Sequence, residues 1–374
     1  MLKGQLHFLL YGALALLAAV LVVMLVLPEE EVLYEPDKLT LASQDLQKSK
    51  FKWGNGAIPP IPVVSQEELA SGKVLLGEKL FHDPKLSADG TISCASCHDI
   101  KRGGHDWRRF SVGVGGALGD VNAPTVLNSI FNFRQFWDGR AADLAEQVSG
   151  PVLNVAEMAS NWKHIIRVVS ESSDYQEAFK HEYSGEISER TITDALVRFE
   201  TTLLTPNSPF DRYLNGDGSA LSSDALEGYK RFNNYGCVSC HQGVNLGGNF
   251  FQKFGVMGDY FADRGKDIRE ANKLYSDTAD GEKKCRDSAA KADQGRFNVT
   301  GDEKDCYVFK VPGLRNVALT APYFHDGSAA TLDQAIVIMG RYQLGRELSE
   351  DDRRYLIAFL ESLTGEYRGV RLQP

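Results

Sequence analysis

Two short motifs of cysteine and histidine are the residues of this sequence best suited to chemistry. They supply six side chains, namely Cys94, Cys97 and His98 in the first copy and Cys237, Cys240 and His241 in the second. Cys-x-x-Cys-His is the attachment motif of c-type haem, in which both thiols bond covalently to one porphyrin and the histidine binds its iron. A zinc site would need further ligands nearby, and a redox dithiol needs no histidine directly after it. Two covalently bound haem c groups are therefore predicted.

The sixth position of each iron separates electron transfer from catalysis. For the second haem the candidate is Met339, which follows an apolar helical stretch at 332–336. Ligation by histidine and methionine would raise the potential of that haem and make it an electron relay. Core packing explains a methionine there equally well. The first motif has no comparable partner, because His105 lies too close behind His98 to reach the opposite face of the ring. His105 is predicted to be a polar loop residue.

The elements that must position these motifs are mainly helical. The chain has 374 residues, enough for about two domains. Its hydrophobic fraction of 43% excludes a disordered chain, and 41 basic against 50 acidic residues argue against nucleic-acid binding. Apolar spacings of three and four residues, without period-two alternation, predict helices. They are expected at 66–83, 161–181, 190–204, 222–235 and from 350 onward, where Ser349 and Asp352 form a capping box. A Pro-rich joint at 205–209 separates two predicted haem domains, 60–205 and 206–374.

The N-terminal run 8–27 (FLLYGALALLAAVLVVMLVL) is uncharged and close to the roughly 20 residues that cross a bilayer. Lys3 precedes this run and three glutamates at 29–31 follow it, so the rest of the chain is predicted to lie outside the cytoplasm. We predict an uncleaved transmembrane anchor at 1–30 and a linker at 31–59. A cleaved signal peptide is the alternative, although its apolar core would be shorter. Both interpretations place the protein in the periplasm, anchored to the inner membrane in the first case.

The remaining cysteines, Cys285 and Cys306, enclose a polar segment. In an oxidising compartment such a pair is expected to form a disulfide. On the chain-entropy model, a loop of this length would add about 3 kcal/mol of stability. We predict no catalytic role for this pair.

Around the two motifs and beyond them, the sequence resembles the bacterial dihaem cytochrome c peroxidases. The segments with this resemblance are FHDPKLSADGTISCASCH (81–98), NAPTVLNSIFNFRQFWDGRAADLAEQVSGPVLNVAEM (122–158), TPNSPFDRYLNG (205–216), GCVSCHQGVNLGG (236–248), VPGLRNVALTAPYFHDG (311–327) and AIVIMGRYQLG (335–345). They extend over most of the chain after residue 60. The resemblance implies two cytochrome-c-like domains, with peroxide reduced at the N-terminal haem and electrons entering through the C-terminal haem.

The resemblance also implies roles for individual residues. Met339 corresponds to the sixth ligand of the electron-transfer haem, which favours ligation over core packing at that position. Trp137 corresponds to a tryptophan between the two haems. Glu157 corresponds to the acid of the peroxide pocket, and Gln147 to a neighbouring amide.

Two further expectations concern metal ligation. In the family a calcium ion between the domains is held by an asparagine side chain and backbone carbonyls, which here correspond to Asn122, Thr320 and Pro322. Many members carry a capping histidine after a Ser-Val-Gly sequence, whereas this chain has Val114 at that position. Valine cannot bind iron, so the first haem is expected to be open in its oxidised state. Capping by His105 is the alternative.

The expected substrate is hydrogen peroxide, and the expected donor is a small cytochrome c or cupredoxin. The family often forms dimers, so a homodimer is a further expectation of the resemblance. A dihaem electron carrier is one alternative, but it would need both sixth positions filled. A protein-modifying dihaem oxidase is another, but in that relative a tyrosine replaces Met339. A quinol peroxidase of the tethered type would need a third motif, which this sequence lacks.

Overall fold

The fold is mainly helical, as the sequence predicts. The structure is a computed structural model that describes residues 58–264, Cys285 and 290–373. The longer helices are Gly72–Phe81, Leu144–Leu153, Trp162–Glu171, Ser173–Tyr183, Glu189–Glu200, Ser223–Asn234 and Glu350–Glu361. The shorter helices are Gln66–Leu69, Cys94–Cys97, Pro209–Leu214, Phe297–Thr300 and Leu332–Ile338.

Two predicted helices are each divided in the structure. Ser71 interrupts the first, since its hydroxyl accepts a hydrogen bond from Val74 N and caps a new helix. The second predicted helix is divided at Ser172, which ends one helix and begins the next. The helix Leu144–Leu153 was not predicted, because Pro151 within it is ordinarily a helix breaker.

The predicted transmembrane run 8–27 lies outside the described residues, as does nearly all of the linker 31–59. In the part of the chain that the structure describes, no helix is both long and apolar enough to cross a bilayer. The N-terminal anchor therefore stays a prediction from sequence.

In each half of the described chain, a helix that precedes the motif crosses a helix that follows it. In the first half, a Cβ atom on Gly77 would lie 1.9 Å from the carbonyl oxygen of Ala195 on the crossing helix. In the second half, a Cβ atom on Gly228 would lie 1.9 Å from the carbonyl oxygen of Tyr355. Only glycine permits such close approach of two backbones. The repetition visible in the motifs thus extends to the helices around them.

Two hydrophobic cores follow the predicted division of the chain. Leu80, Phe81 and Phe199 are fully or almost fully buried in the first core, and Phe210 and Phe359 in the second. Most members of the first core precede residue 205, and most members of the second follow it. This division supports the boundary at 205–206, which stays a prediction.

The joint between the halves is buried, although its composition predicts an ordinary turn. Thr205 is 1% exposed, and its hydroxyl accepts hydrogen bonds from the side-chain amides of Asn128 at 2.7 Å and Asn316 at 2.9 Å. Both asparagines have a left-handed backbone conformation, with φ of 61° and 62°. Asparagine tolerates that conformation better than most residues. One threonine is thus held by equivalent residues of both halves.

The described strands are short and form two antiparallel pairs. Phe251–Lys253 pairs with Val308–Lys310, so that Phe251 lies opposite Lys310. Glu366–Tyr367 pairs with Val370–Arg371. Strands of two or three residues are too short to produce a detectable alternation, which explains why the sequence predicted none.

A buried ion pair between Arg315 and Asp211 connects elements of the second half. Their side chains are 0% and 2% exposed, and their charged atoms lie 2.7 Å apart. The guanidinium also donates to the carbonyl oxygens of Val244 at 3.0 Å and Pro59 at 3.3 Å. Removing one partner of such a pair leaves a buried charge without compensation.

We expect Arg315→Met to lower the free energy of unfolding by about 3–5 kcal/mol, since the Asp211 carboxylate would lose its cation. Urea unfolding of the holoprotein measures this change. The matched control is Arg341→Met, because Arg341 pairs with Glu347 where the two side chains are 54% and 73% exposed. That exposed pair should contribute about 1 kcal/mol or less. Equal losses in both variants would contradict the assignment.

Candidate active site

The first motif lies on a short helix that turns its histidine toward a cavity. Ser93 caps the helix Cys94–Cys97, and its backbone N–H donates to the hydroxyl of Ser96 at 2.9 Å. His98 follows directly, and its Nδ1–H donates to the carbonyl oxygen of Gly104 at 3.0 Å. This bond selects the tautomer in which Nε2 can bind a metal. Burial lowers the pKa of His98, which favours the neutral, ligating form.

A cavity of about 60 Å³ brings the first motif together with the predicted peroxide-pocket residues. Gln147 reaches it from the helix Leu144–Leu153, and Glu157 reaches it from the turn that follows. The side-chain amide of Asn154 donates to Oε1 of Glu157 at 2.7 Å. Burial raises the pKa of Glu157, while this hydrogen bond and the charge of Arg140 lower it.

A second carboxyl group, that of Glu200, lines the same cavity and was not predicted. It is 7% exposed, and burial raises its pKa to about 8. Glu200 is therefore mostly neutral at pH 7, unlike an ordinary glutamate. It lies on the buried side of the helix Glu189–Glu200, and a pattern of apolar residues cannot reveal a glutamate among them.

The loop that contains Val114 packs against the turn that contains Glu157. Val114 N donates to the carbonyl oxygen of Glu157 at 2.9 Å. A Cβ atom on Gly113 would lie 2.2 Å from the carbonyl oxygen of Ala156, so this loop needs glycine for its close approach. Of the described residues, none between 111 and 118 lines the cavity of the first motif.

His105 lies in a loop, as predicted, but it is fully buried, which the sequence did not predict. Its Nε2–H donates to the carbonyl oxygen of Leu319 at 2.9 Å, and its Nδ1 accepts from Trp107 N at 3.2 Å. Both ring nitrogens are thus engaged, and neither is left for an iron. The residue instead connects the loop after the first motif to a loop of the second half, a role with no local sequence signal.

The second motif has the same arrangement as the first. Nδ1 of His241 lies 3.2 Å from the carbonyl oxygen of Leu246, which selects Nε2 for metal binding. Burial lowers the pKa of His241 to about 4, so the imidazole is neutral at pH 7. Burial also raises the pKa of Cys94 to about 12 and that of Cys237 to about 11. Such thiols lack the thiolate character of a reactive redox dithiol.

A cavity of about 360 Å³ brings His241 together with Met339. Met339 begins a π-helical turn, Met339–Gln343, directly after the helix Leu332–Ile338. Single π-helical turns are frequent at functional sites because they redirect one side chain. The walls of this cavity are mainly apolar and aromatic, as expected around a porphyrin.

Trp137 and the three predicted calcium residues line this larger cavity too. The Trp137 indole N–H donates to the carbonyl oxygen of Asn122 at 2.8 Å. The side-chain amide of Asn122 donates to a backbone carbonyl at Arg108, which orients its oxygen. Thr320 and Pro322 follow in the loop that His105 contacts. The structure thus brings residues from both halves to the lining of one cavity.

A buried cluster of Asp293, His325 and Asp326 was not predicted, and its ligand-type atoms lie within 4.8 Å of one another. Arg264 lies between the two carboxylates and contacts each at 2.5 Å. His325 Nε2 donates to Asp293 at 2.8 Å. These contacts make the cluster an ion-pair network around a guanidinium.

Cys285 and Cys306 form a disulfide, with their Cα atoms 5.7 Å apart.

Two cavities, each with two cysteines and a histidine oriented for metal binding, define the class of the dihaem c-type cytochromes. A model of the di-haem cytochrome c peroxidase family matches residues 71–219. Cytochrome c peroxidase Ccp of Escherichia coli (strain K12) is 46% identical over 314 residues, which are 84% of this chain and 62% of that protein. This chain therefore spans less than two thirds of that relative.

Cytochrome c551 peroxidase of Nitrosomonas europaea is 45% identical over 85% of this chain and 87% of its own length. A crystal structure of a MauG-like protein associated with microbial copper homeostasis superposes with a TM-score of 0.68 at 28% identity, over 84% of this chain and 95% of that one. The chain belongs to the dihaem cytochrome c peroxidase family. The predicted family and enzyme class are thereby confirmed, and membership implies two haem c groups.

Proposed function

We propose that this protein reduces hydrogen peroxide to water at the haem of the first motif, with electrons that arrive through the haem of the second. One observation gives the strongest support for these different roles of the two haems. An acid and an amide, Glu157 and Gln147, line the cavity of His98, whereas Met339 lines the cavity of His241. Haem, when bound, supplies the iron at which peroxide is reduced and the redox centre that receives electrons.

Glu157 is the group that moves protons in this proposal. Its carboxylate accepts a proton from the bound peroxide and returns it to the departing oxygen, which leaves as water. Burial raises its pKa toward the working pH, which suits a group that both accepts and donates. Asn154 holds Oε1 and so orients the carboxylate. Gln147 orients the peroxide or a pocket water through its amide.

The valine at position 114 supports the proposal that the first haem binds peroxide without prior reduction of the enzyme. The loop 111–118 carries no ligating side chain and packs against the Glu157 turn rather than lining the cavity. Both nitrogens of His105 are engaged elsewhere. We therefore propose that the oxidised enzyme binds peroxide without prior reduction of the second haem.

Met339 favours the peroxidase over the protein-modifying oxidase, and the acid and amide of the first cavity favour it over the electron carrier. As a thioether ligand it would raise the potential of the second haem, so that this haem accepts electrons from a small soluble donor. A protein-modifying oxidase of this fold has tyrosine there. A pure electron carrier would not need an acid and an amide in the first cavity. The proposed donor is a small cytochrome c or a cupredoxin.

Several finer features belong to the same proposal. Trp137 would lie on the electron path between the haems, and calcium would be held by Asn122, Thr320 and Pro322 in the cavity lining to which both halves contribute. The run 8–27 would anchor the enzyme to the inner membrane, with its haem domains in the periplasm. A homodimer is proposed from the resemblance alone.

The test is oxidation of a reduced small cytochrome c by the holoprotein. We expect two donor molecules to be oxidised for each hydrogen peroxide consumed, since reduction of peroxide to two waters requires two electrons. A reduced cupredoxin serves as the second donor. Electron exchange with either donor but no peroxide consumption would favour the electron carrier. No exchange with either donor would favour the protein-modifying oxidase.

A further inference from the structure

Lys310 is a buried cation for which the described protein provides no anion. It ends the strand Val308–Lys310 and is 6% exposed. Its backbone is held firmly, because its N–H donates to the carbonyl oxygen of Trp137 at 2.8 Å. Among the described residues, no carboxylate or carbonyl oxygen forms an ion pair or hydrogen bond with its ammonium group. A buried charge is costly unless it is paired, so this arrangement calls for a partner.

The buried carboxylates of this half are already paired. Asp211 is bound to Arg315, and Arg264 is bound to both Asp293 and Asp326. Lys310 also differs from these arginines in its position, because it lines the cavity that contains His241 and Met339. An anion for its ammonium is therefore expected to come from the occupant of that cavity.

A haem brings such an anion, because the porphyrin carries two propionate side chains. We propose that Lys310 binds a propionate of the second haem and neutralises its charge. This inference rests on occupation of the larger cavity by haem and does not depend on peroxide turnover. Burial lowers the pKa of Lys310 to about 8, so most molecules still carry the cation at pH 7. A bound propionate would raise that pKa again.

The positive charge has a consequence for electron transfer. Reduction adds one negative charge to the haem, and a nearby ammonium in a low-dielectric cavity stabilises the reduced form. Lys310 would thus act with Met339 to raise the potential of the second haem. Its backbone hydrogen bond places Lys310 next to Trp137, the residue on the proposed path between the haems.

The test is a spectroelectrochemical titration of the holoprotein at pH 7. We expect Lys310→Met to lower the equilibrium constant for reduction of the second haem at least tenfold, which is 59 mV for a one-electron couple. Lys310→Arg keeps the charge and should restore most of the potential. Lys304→Met removes a charge from an exposed lysine of the same half and should change nothing. An equilibrium constant for reduction of the second haem within twofold of the wild-type value in Lys310→Met, with both haems attached, would overturn the proposal.

A second readout decides the case in which Lys310→Met does not fold or does not retain both haems. Resonance Raman propionate bending modes respond to hydrogen bonding at the propionate. We expect these modes of the second haem to differ between the wild-type holoprotein and Lys310→Arg, because a guanidinium replaces the ammonium at the propionate. Identical modes in the two proteins would show that the residue does not contact a propionate, and would overturn the proposal.

Discussion

In Glu157→Gln, we expect peroxide turnover to fall about 100- to 10,000-fold, the usual range for the loss of a general acid–base group. Glutamine keeps the shape of the side chain and the contact with Asn154, but it cannot accept or return a proton. Both haems should stay attached, since neither motif is altered. Steady-state peroxide consumption and the haem content of the purified protein measure the two outcomes.

The control for this variant is Glu171→Gln, because Glu171 is 64% exposed on the surface of the same half. It should turn over at the wild-type rate. Near-normal turnover in Glu157→Gln would remove Glu157 from the chemistry and would leave Glu200 as the other carboxyl group of that cavity.

The pH dependence of turnover follows from the same residue. Glu157 must be ionised to accept a proton, so turnover should fall as the pH drops through its pKa. Since burial raises that pKa, the acidic limb should lie above the value of about 4.3 for an unperturbed glutamic acid. In Asn154→Ala the charged form loses a hydrogen bond, so the limb should move to higher pH. A limb that stays in place would contradict this assignment.

In Met339→Leu, we expect the equilibrium constant for reduction of the second haem to fall about 100-fold, which corresponds to about 120 mV for a one-electron couple, and turnover with a small donor to fall with it. Leucine conserves most of the volume, but it removes the sulfur that would raise the potential of the second haem. A redox titration of the second haem measures the change directly.

Met257→Leu is the matched control, because Met257 is 60% exposed and the substitution is identical. Its potential and turnover should equal those of the wild type. If Met339→Leu retained the wild-type potential, Met339 would be a core residue and the second haem would have another ligand.

The sequence predicted the candidate site residues of this protein better than the residues that hold them in place. Cys-x-x-Cys-His is a contiguous motif, so its function can be read without tertiary structure. Glu157, Gln147 and Met339 came from the resemblance, and each lines the cavity that the resemblance implies. Helices with a clear apolar face were predicted to within a few residues, except where Ser71 and Ser172 interrupt them.

The residues that sequence reasoning missed depend on contacts distant in the chain. Glu200 and Lys310 are ionisable residues within otherwise apolar patterns, and each lines one of the two cavities. The burial of His105 follows from a hydrogen bond to Leu319, and that of Thr205 from Asn128 and Asn316. No local pattern encodes such pairings.

In the proposed mechanism, the first haem is open to peroxide in the oxidised protein. The most direct test mixes full-length, fully ferric holoprotein that has never been reduced with one equivalent of hydrogen peroxide, while stopped flow follows the Soret band. We predict a rapid spectral change without any added reductant. A change that appears only after one electron per molecule has been supplied would contradict an open first haem. It would show that the first iron is capped, with Met158, which lines the same cavity, as the candidate ligand.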